Sequence, residues 1–261
     1  MSEVTYAPPR LLDGRSGARL ALLLVLAAPA LAWIGQYSDL DLRLADWLYD
    51  AGARAFPWRD AWLADGFNHV ILKRLFTLAA LAFIGAALLD LFRPSPARGA
   101  LARLRLRVVA LSALLVPLTI GLLKRASVSH CPWDLARYGG KEPYVRLFDA
   151  LPAGIQAGHC LPAGHASSSL WLVALAVYWL PAPHGARRAG TAVLLALAVG
   201  GASGWLQQMR GAHFLTHTLW SMWISCAIVL ATILALQWLA ARAVSPAGIE
   251  PPFFTAKDMS Q

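Results

Sequence analysis

Charged residues are scarce in this sequence: they make up 14% of its 261 residues, against 58% for hydrophobic residues. The mean hydropathy is +0.53. Such a low charged fraction excludes an ordinary soluble domain and indicates a membrane protein. Acidic residues are the rarer charged type, with 14 Asp and Glu against 23 Lys and Arg.

The basic excess gives a formal net charge of +9, which in a soluble protein would suggest a nucleic-acid partner. Here the arginines flank apolar runs, as the positive-inside rule requires, and no basic face or nucleic-acid-binding module is present. We therefore expect no nucleic-acid partner. Cysteine is also rare, and Cys226, one of only three, lies in an apolar run and is interpreted as a packing residue.

Apolar runs set the topology. Six of them lie at about 18–33, 72–92, 108–123, 166–180, 190–206 and 218–239. Lipid cannot satisfy backbone polar groups, so each run is predicted to be a helix. Five arginines between residues 93 and 107 form the strongest basic cluster and place that link in the cytoplasm. The sequence therefore predicts an all-α, six-transmembrane-helix bundle with both termini in the cytoplasm.

This topology gives a cytoplasmic tail over 1–17, a membrane domain over 18–240 and a second cytoplasmic tail over 241–261. Residues 37–70 are rich in Asp and aromatic residues, which disfavours a further span. They favour interfacial helices in the first outside loop, with the tryptophans at headgroup depth. His184, in a short basic link, is predicted to be a solvated cytoplasmic residue.

Three polar segments lie at the ends of apolar runs, and the topology places all three at the outer face. They are residues 124–134, 160–169 and 210–217. Five of the seven histidines fall on or next to this face: His130, His159, His165, His213 and His217. His69 lies near the same face. Ionisable residues that converge from several helices at a membrane boundary usually mark a functional site, and here the neighbouring Lys and Arg favour an anion.

The motifs in these segments resemble those of the type-2 phosphatidic acid phosphatase superfamily, a family of membrane lipid phosphatases. Its first pattern is K-x6-R-P, and here Lys124 is followed after six residues by Cys131 and Pro132, so that Cys replaces Arg. Its second pattern is P-S-G-H. Here the matching segment is Pro162-Ala163-Gly164-His165.

The third pattern, S-R-x5-H-x3-D, matches the segment that ends with His213 and His217. His213 takes the place of the family nucleophile and His217 that of its Asp. The family Arg falls at Gln207, whereas Arg210 stands about one helical turn away. The resemblance covers roughly residues 70–240, and motif order, spacing and topology agree.

The resemblance implies a phosphohistidine mechanism. His213 attacks the phosphoryl group, and His165 protonates the leaving alcohol and later activates water. Lys124 and Arg210 neutralise the phosphoryl oxygens, and Gly164 donates a backbone N–H. His217, four residues from His213, lies on the same helix face and is expected to orient it.

Further residues near the motifs are candidates to compensate for the two departures from the family pattern. Arg125 or His130 would replace the missing guanidinium, and Asp134 would supply the missing carboxylate. Cys131 and Cys160 flank the site, so a disulfide that clamps the motifs and a pair of packed, reduced thiols both remain open. The bond would close a loop of about 30 residues and stabilise the fold by a few kcal/mol.

The implied partner is a phosphorylated membrane lipid in the bilayer: polyprenyl diphosphate, phosphatidic acid, phosphatidylglycerol phosphate or a lipid A phosphate. No cofactor and no metal are expected, and the oligomeric state stays open. A lipid-to-lipid phosphotransferase would use the same intermediate. A zinc-dependent hydrolase ligated by these histidines is a second class, although it lacks the H-E-x-x-H glutamate and leaves the cations unexplained. A transporter or non-enzymatic subunit is a third, disfavoured because the polar groups gather at one end rather than at the midplane.

Overall fold

The structure is a computed structural model, and it describes residues 9–181 and 185–244. Within these described residues seven α-helices follow one another: α1 Gly14–Tyr37, α2 Leu40–Leu48, α3 Lys73–Phe92, α4 Ala100–Ala126, α5 Gly164–Leu170, α6 Ala186–Met209 and α7 Leu215–Val244. A π-helical segment, Leu63–Leu72, runs directly into α3, and a 3₁₀-helical segment, Trp171–Trp179, continues α5. Within the described residues β-structure is limited to two isolated bridges, so the all-α prediction is confirmed.

Five helices are long and apolar enough to cross a membrane: α1, the continuous helix Leu63–Phe92, α4, α6 and α7. The fourth predicted span is the exception, because it consists of the short α5 and the 3₁₀ segment. At 1.5 Å and 2.0 Å of rise per residue these two pieces together measure about 28 Å, close to the thickness of a hydrocarbon core. The count of six spans stays a prediction.

Parts of the predicted tails, residues 1–8 and 245–261, lie outside the described residues. His184 of the predicted cytoplasmic link lies outside them as well. The end of the N-terminal tail packs against the bundle. Leu11 and Leu12 are buried there, and their backbone N–H groups donate to Oε1 of Gln237 on α7 at 3.4 and 3.3 Å. Asp13 then caps α1 by accepting the Ser16 N–H at 2.8 Å.

The core lies where α4 and α7 pack against the 3₁₀ segment, and Trp171 and Ile120 are almost fully buried in it. Helices approach closely where glycine removes the side chain: a Cβ on Gly200 of α6 would lie 2.3 Å from the Leu170 side chain of α5. In contrast, leucines on α1 and α3 are exposed, such as Leu23 and Leu78, each 63% exposed. Exposed apolar faces of this kind suit a lipid environment.

Residues 37–62 and 127–163 pack together over one end of the bundle. Their small core contains Phe56, Leu135 and Tyr138, packed with Phe214 just before α7. Arg137 makes a bidentate ion pair with Asp46 of α2, at 2.8 and 2.7 Å. The α2 region was predicted as an interfacial anchor, and in the structure it also covers the segment that leads into α7.

Candidate active site

Three chain segments meet under this cover. Lys124 is in the last turn of α4, His165 is in the first turn of α5, and His213 and His217 flank the start of α7. The Lys124 Nζ atom lies 3.8 Å from the point that a Cβ on Gly164 would occupy. The segment before α5 is tied to α7, since the Ala163 N–H donates to the His217 carbonyl at 3.0 Å. The structure therefore brings together the residues that carry the family resemblance.

His213 has its Nδ1 atom between two neighbours. Nδ1 of His217 and the Cys160 sulfur both lie 3.4 Å from it. The sulfur is bonded to Cys131 and carries no hydrogen, so it can only accept. If both neighbours accept, the proton of His213 is on Nδ1 and the lone pair is on Nε2, which is the arrangement that a nucleophilic imidazole requires.

His217 continues this chain of contacts, with Nε2 3.2 Å from the Ser129 hydroxyl. Its Nδ1 can accept from His213 while its Nε2–H donates to Ser129. The imidazole thus stands where a carboxylate would orient the nucleophile, without the negative charge. Both rings are 2% exposed, so water does not compete for these contacts.

Burial lowers the pKa of His213 well below its usual value, and the adjacent His217 ring and the Lys124 ammonium act in the same direction. The imidazole is therefore neutral, and its lone pair is available at neutral pH. This is the protonation state in which a histidine attacks phosphorus.

His165 faces His213 with a ring-centroid separation of 5.9 Å. Its Nδ1 atom is buried and has no hydrogen-bond partner among the described residues. Unlike His213, the side chain is only partly buried. A phosphoryl group in contact with both rings would have the deeper imidazole as nucleophile and the more accessible one on the side of the leaving group.

Arg210 is largely committed to protein partners. Its guanidinium pairs with Asp65 at 2.8 Å and donates to the Gln207 side chain at 3.1 Å and the Arg59 carbonyl at 2.8 Å. It thereby lies against Gln207, the position of the family Arg. Its NH1 atom also approaches Nδ1 of His69 at 3.5 Å.

Cys131 and Cys160 are joined in a disulfide, with Cα atoms 5.4 Å apart. The bond links the end of the first motif to the approach to the second, and Cys160 is completely buried beside His213. A cysteine at the position of the family Arg therefore has a structural use here and offers no positive charge.

Replacing both cysteines by serine is expected to lower the free energy of unfolding by about 3 kcal/mol, because the reduced chain regains the entropy of a loop of this size. Denaturant unfolding of the purified protein in detergent would measure it. Cys226→Ala, which removes the free cysteine of α7, is the matched control and should change stability less. Equal unfolding midpoints for the double variant and the wild type would contradict this role.

The compensating candidates lie elsewhere. Arg125 is exposed and, as the residue next to Lys124 on α4, points to a different side of the helix. His130 is buried with Nε2 2.9 Å from the Gln156 carbonyl. Asp134 accepts the Cys131 N–H at 3.3 Å, and burial raises its pKa. His159 is exposed, with its backbone N–H bonded to the Ser127 carbonyl.

Two residues outside the sequence motifs lie next to the histidines of the candidate site. The first is His69, in the π-helical segment before α3, whose ring centroid lies 4.1 Å from that of His165. The second is Asp41, 5% exposed, which accepts the Thr216 N–H at 3.0 Å and also the Thr216 hydroxyl. Its carboxylate caps the first turn of α7, next to His217.

Gly211 makes the turn into this segment. Its φ of +74° is in the left-handed region, and a Cβ there would lie 2.3 Å from the Phe56 ring. Position 211 must therefore be glycine on both counts. This turn aims His213 inward, under the cover formed by the outer loops.

The zinc alternative requires several histidine, cysteine or carboxylate ligands within reach of one ion. Across residues 9–181 and 185–244, the group that satisfies this is Cys131, Cys160 and His213. Two of these ligand atoms are the bonded sulfurs of the disulfide, which are not thiolates. The histidines instead form a row of neighbouring rings facing cations, an arrangement suited to an anion.

Comparison with known proteins gives one family. No curated protein and no solved structure matches the chain significantly. The sequence pattern of the PAP2 superfamily matches residues 105–241, which is more than half of the chain and includes most of α4, all of α5 and α6, and most of α7. Members of this superfamily are phosphatases. From its motifs, its helices and this match, the chain belongs to the PAP2 superfamily and is a membrane phosphatase.

Proposed function

We propose that the chain hydrolyses a phosphate monoester or diphosphate of a membrane lipid through a phosphohistidine intermediate on His213. The observation that carries this proposal is the arrangement of two imidazoles, one buried and one accessible, beside the Lys124 ammonium at one end of a membrane bundle. A cation and a nucleophile–acid pair in a water-poor site are what phosphoryl transfer requires.

In the first step the Nε2 lone pair of His213 attacks phosphorus, the bond to the lipid oxygen breaks, and His165, which becomes protonated once the anionic phosphate group is bound against it, gives that oxygen a proton. His213 becomes a phosphorylated imidazolium. Its Nδ1–H is held by His217, which in turn is held by Ser129. A neutral His217 stabilises this cation less than a carboxylate would, so we expect the intermediate to be short-lived or its formation to be slow.

In the second step His165, now neutral, takes a proton from a water molecule that attacks phosphorus. The P–N bond breaks, inorganic phosphate leaves, and His213 returns to its neutral form. Lys124 is close enough to both steps to neutralise the phosphoryl oxygens, and Gly164 leaves room for them because it has no side chain. Arg210 is paired with Asp65, which largely neutralises its charge.

The charge distribution supports an orientation as well. Arg98 and Arg103 pair with the buried Asp90 at the opposite end of the bundle from the histidines. By the positive-inside rule we infer that this end faces the cytoplasm, that the histidines lie at the periplasmic face of a bacterial inner membrane, and that both termini are cytoplasmic. The substrate is then a lipid of the outer leaflet.

The test is phosphate release by the purified protein in detergent, with a metal chelator present. The panel contains the four candidate substrates: polyprenyl diphosphate, phosphatidic acid, phosphatidylglycerol phosphate and lipid A phosphate. Release that resists the chelator supports the proposal and identifies the headgroup. Release abolished by the chelator would instead favour the metal-dependent hydrolase. Release that appears only when an acceptor lipid is added, as a phosphorylated product, would favour the phosphotransferase.

A further inference from the structure

His69 lies directly against the proposed acid. Its ring centroid is 4.1 Å from that of His165, closer than the 5.9 Å between His165 and His213. The guanidinium of Arg210 approaches Nδ1 of His69 at 3.5 Å. A guanidinium can only donate, so this nitrogen accepts and the proton of a neutral His69 is on Nε2.

Lys73 follows one helical turn later, at i+4 from His69, where the π-helical segment becomes α3. The π-helical geometry is rare and is found mostly at functional sites. A cavity of about 450 Å³ lies along this face and is lined by His69, Lys73, Arg74, Thr77 and Leu78. The cavity therefore has a cationic end beside His165 and an apolar end along α3.

The positive charge at this end is not neutralised by the protein. In the part of the chain that the structure describes, no carboxylate lies within 4.0 Å of the side-chain nitrogens of Lys73, Arg74 or Lys124. Lys73 lines this cavity together with His69, whose ring lies 4.1 Å from that of His165. Cations that converge without a partner next to buried imidazoles favour the binding of an anion.

The departure in the first motif explains why a further cation is needed. Its guanidinium is missing, and Cys131 at that position is bonded to Cys160. Arg210 is held by Asp65 and Gln207. Lys124 alone would then face the charge that develops on the phosphoryl oxygens, so a further cation is required nearby.

We propose that α3 supplies this cation: Lys73 binds the phosphate oxygens of the substrate, and His69, fixed by Arg210, positions the His165 ring. This inference rests on the proposed function, which it deepens by adding two residues outside the recognised motifs. The ligand is a phosphate group on a lipid. Its headgroup lies between Lys73 and Lys124, and its chain runs along the exposed leucines of α3.

Access supports this direction of approach. His213 is 2% exposed, whereas His69 and His165 are partly exposed and Lys73 is exposed. Leu75 and Leu78 on the same helix are 55% and 63% exposed. A second cavity, of about 490 Å³, borders His217. His165 and His213 line neither cavity, but His69, whose ring lies 4.1 Å from that of His165, lines the cavity along α3. A lipid in the bilayer therefore reaches the acid from the α3 side.

The test compares steady-state kinetics of four full-length variants, using the best substrate of the lipid panel, with the inhibition constant of inorganic phosphate as a second readout. Lys73→Ala is expected to raise KM and weaken phosphate inhibition, each by about 10-fold or more, as for the loss of a charge-assisted contact. Lys73→Arg should restore most of both. Lys141→Ala, an exposed lysine of the outer loop, is the matched control and should behave as wild type.

His69→Gln should lower kcat more than it raises KM and should shift the pH profile of kcat, because the acid loses its neighbouring ring. Thermal unfolding of each variant shows whether the fold is retained. An active wild type whose Lys73→Ala variant keeps its KM and its phosphate inhibition would overturn this inference and leave the proposed function intact. A wild type that releases no phosphate from any lipid would overturn the proposed function itself.

Discussion

Replacing His213 by alanine abolishes phosphate release on this account, lowering kcat by at least about 1,000-fold. The side chain is the proposed nucleophile, and in the described chain it has the His165 ring on one side and His217 on the other. No neighbouring imidazole replaces the nucleophile, because His165 keeps its role as acid and His217 contacts only Nδ1 of the His213 ring. Phosphate release from the best lipid substrate measures the loss.

His159→Ala is the matched control for that experiment. His159 lies in the loop between α4 and α5, next to Cys160, but it is exposed and, within the described residues, bonded only through its backbone, so its removal should leave kcat within a factor of about two. Retained disulfide and an unchanged thermal midpoint in His213→Ala would show that the fold survives. Substantial activity in that folded variant would contradict the assignment of His213 as the nucleophile.

Replacing His165 by asparagine should have the second-largest effect, and it should depend on the leaving group. A lipid alkoxide needs a proton, so its release should slow by about 100- to 10,000-fold. An aryl phosphate with an acidic leaving group needs no proton, so formation of the intermediate should change far less. Hydrolysis of the intermediate should still be slow, because the same imidazole activates water.

The measurement is a pre-steady-state comparison of lipid and aryl phosphate substrates in wild type and His165→Asn. We expect a burst of aryl alcohol followed by slow turnover in the variant, and no burst with the lipid. An equal loss of rate for both substrates in the first step would mean that His165 positions the phosphoryl group and does not act as the acid.

The sequence predicted the site to the extent that local patterns carry it. Lys124, His165 and His213 each stand in a motif with fixed spacing at the end of an apolar run. The charge asymmetry of the links placed these three ends at one face of the membrane. The structure joins these segments. The all-α membrane class followed from the same runs.

Other features depend on contacts between distant segments and had no local signal. Asp41 looked like one of several acidic residues that disfavour a span, yet it caps α7 from 175 positions away in the chain. His69 belongs to no motif, and its proximity to His165 depends on how α3 packs. The fourth span was predicted as a regular helix, but most of it is 3₁₀-helical.

The residues proposed to compensate for the missing Arg and Asp could not be predicted from the sequence, because residues that are close in the chain need not be close in the fold. Arg125 and Lys124 are neighbours in the chain, but on a helix they face different directions. His130 and Asp134 lie within or next to the first motif in the sequence. In the structure they line a separate cavity with Glu142 and Lys141. The further cation that the structure brings toward His165, besides Lys124, is Lys73 of α3.

The central claim is that His213 carries the phosphoryl group, and identification of the labelled residue tests it most directly. The His165→Asn variant is incubated with radiolabelled aryl phosphate in the presence of a chelator, quenched in base and digested, and the labelled peptide is sequenced. We predict a base-stable, acid-labile phosphoryl group on His213 that is absent from the His213→Ala variant. Label on another residue, or phosphate release with no labelled histidine at any time point, would contradict the account.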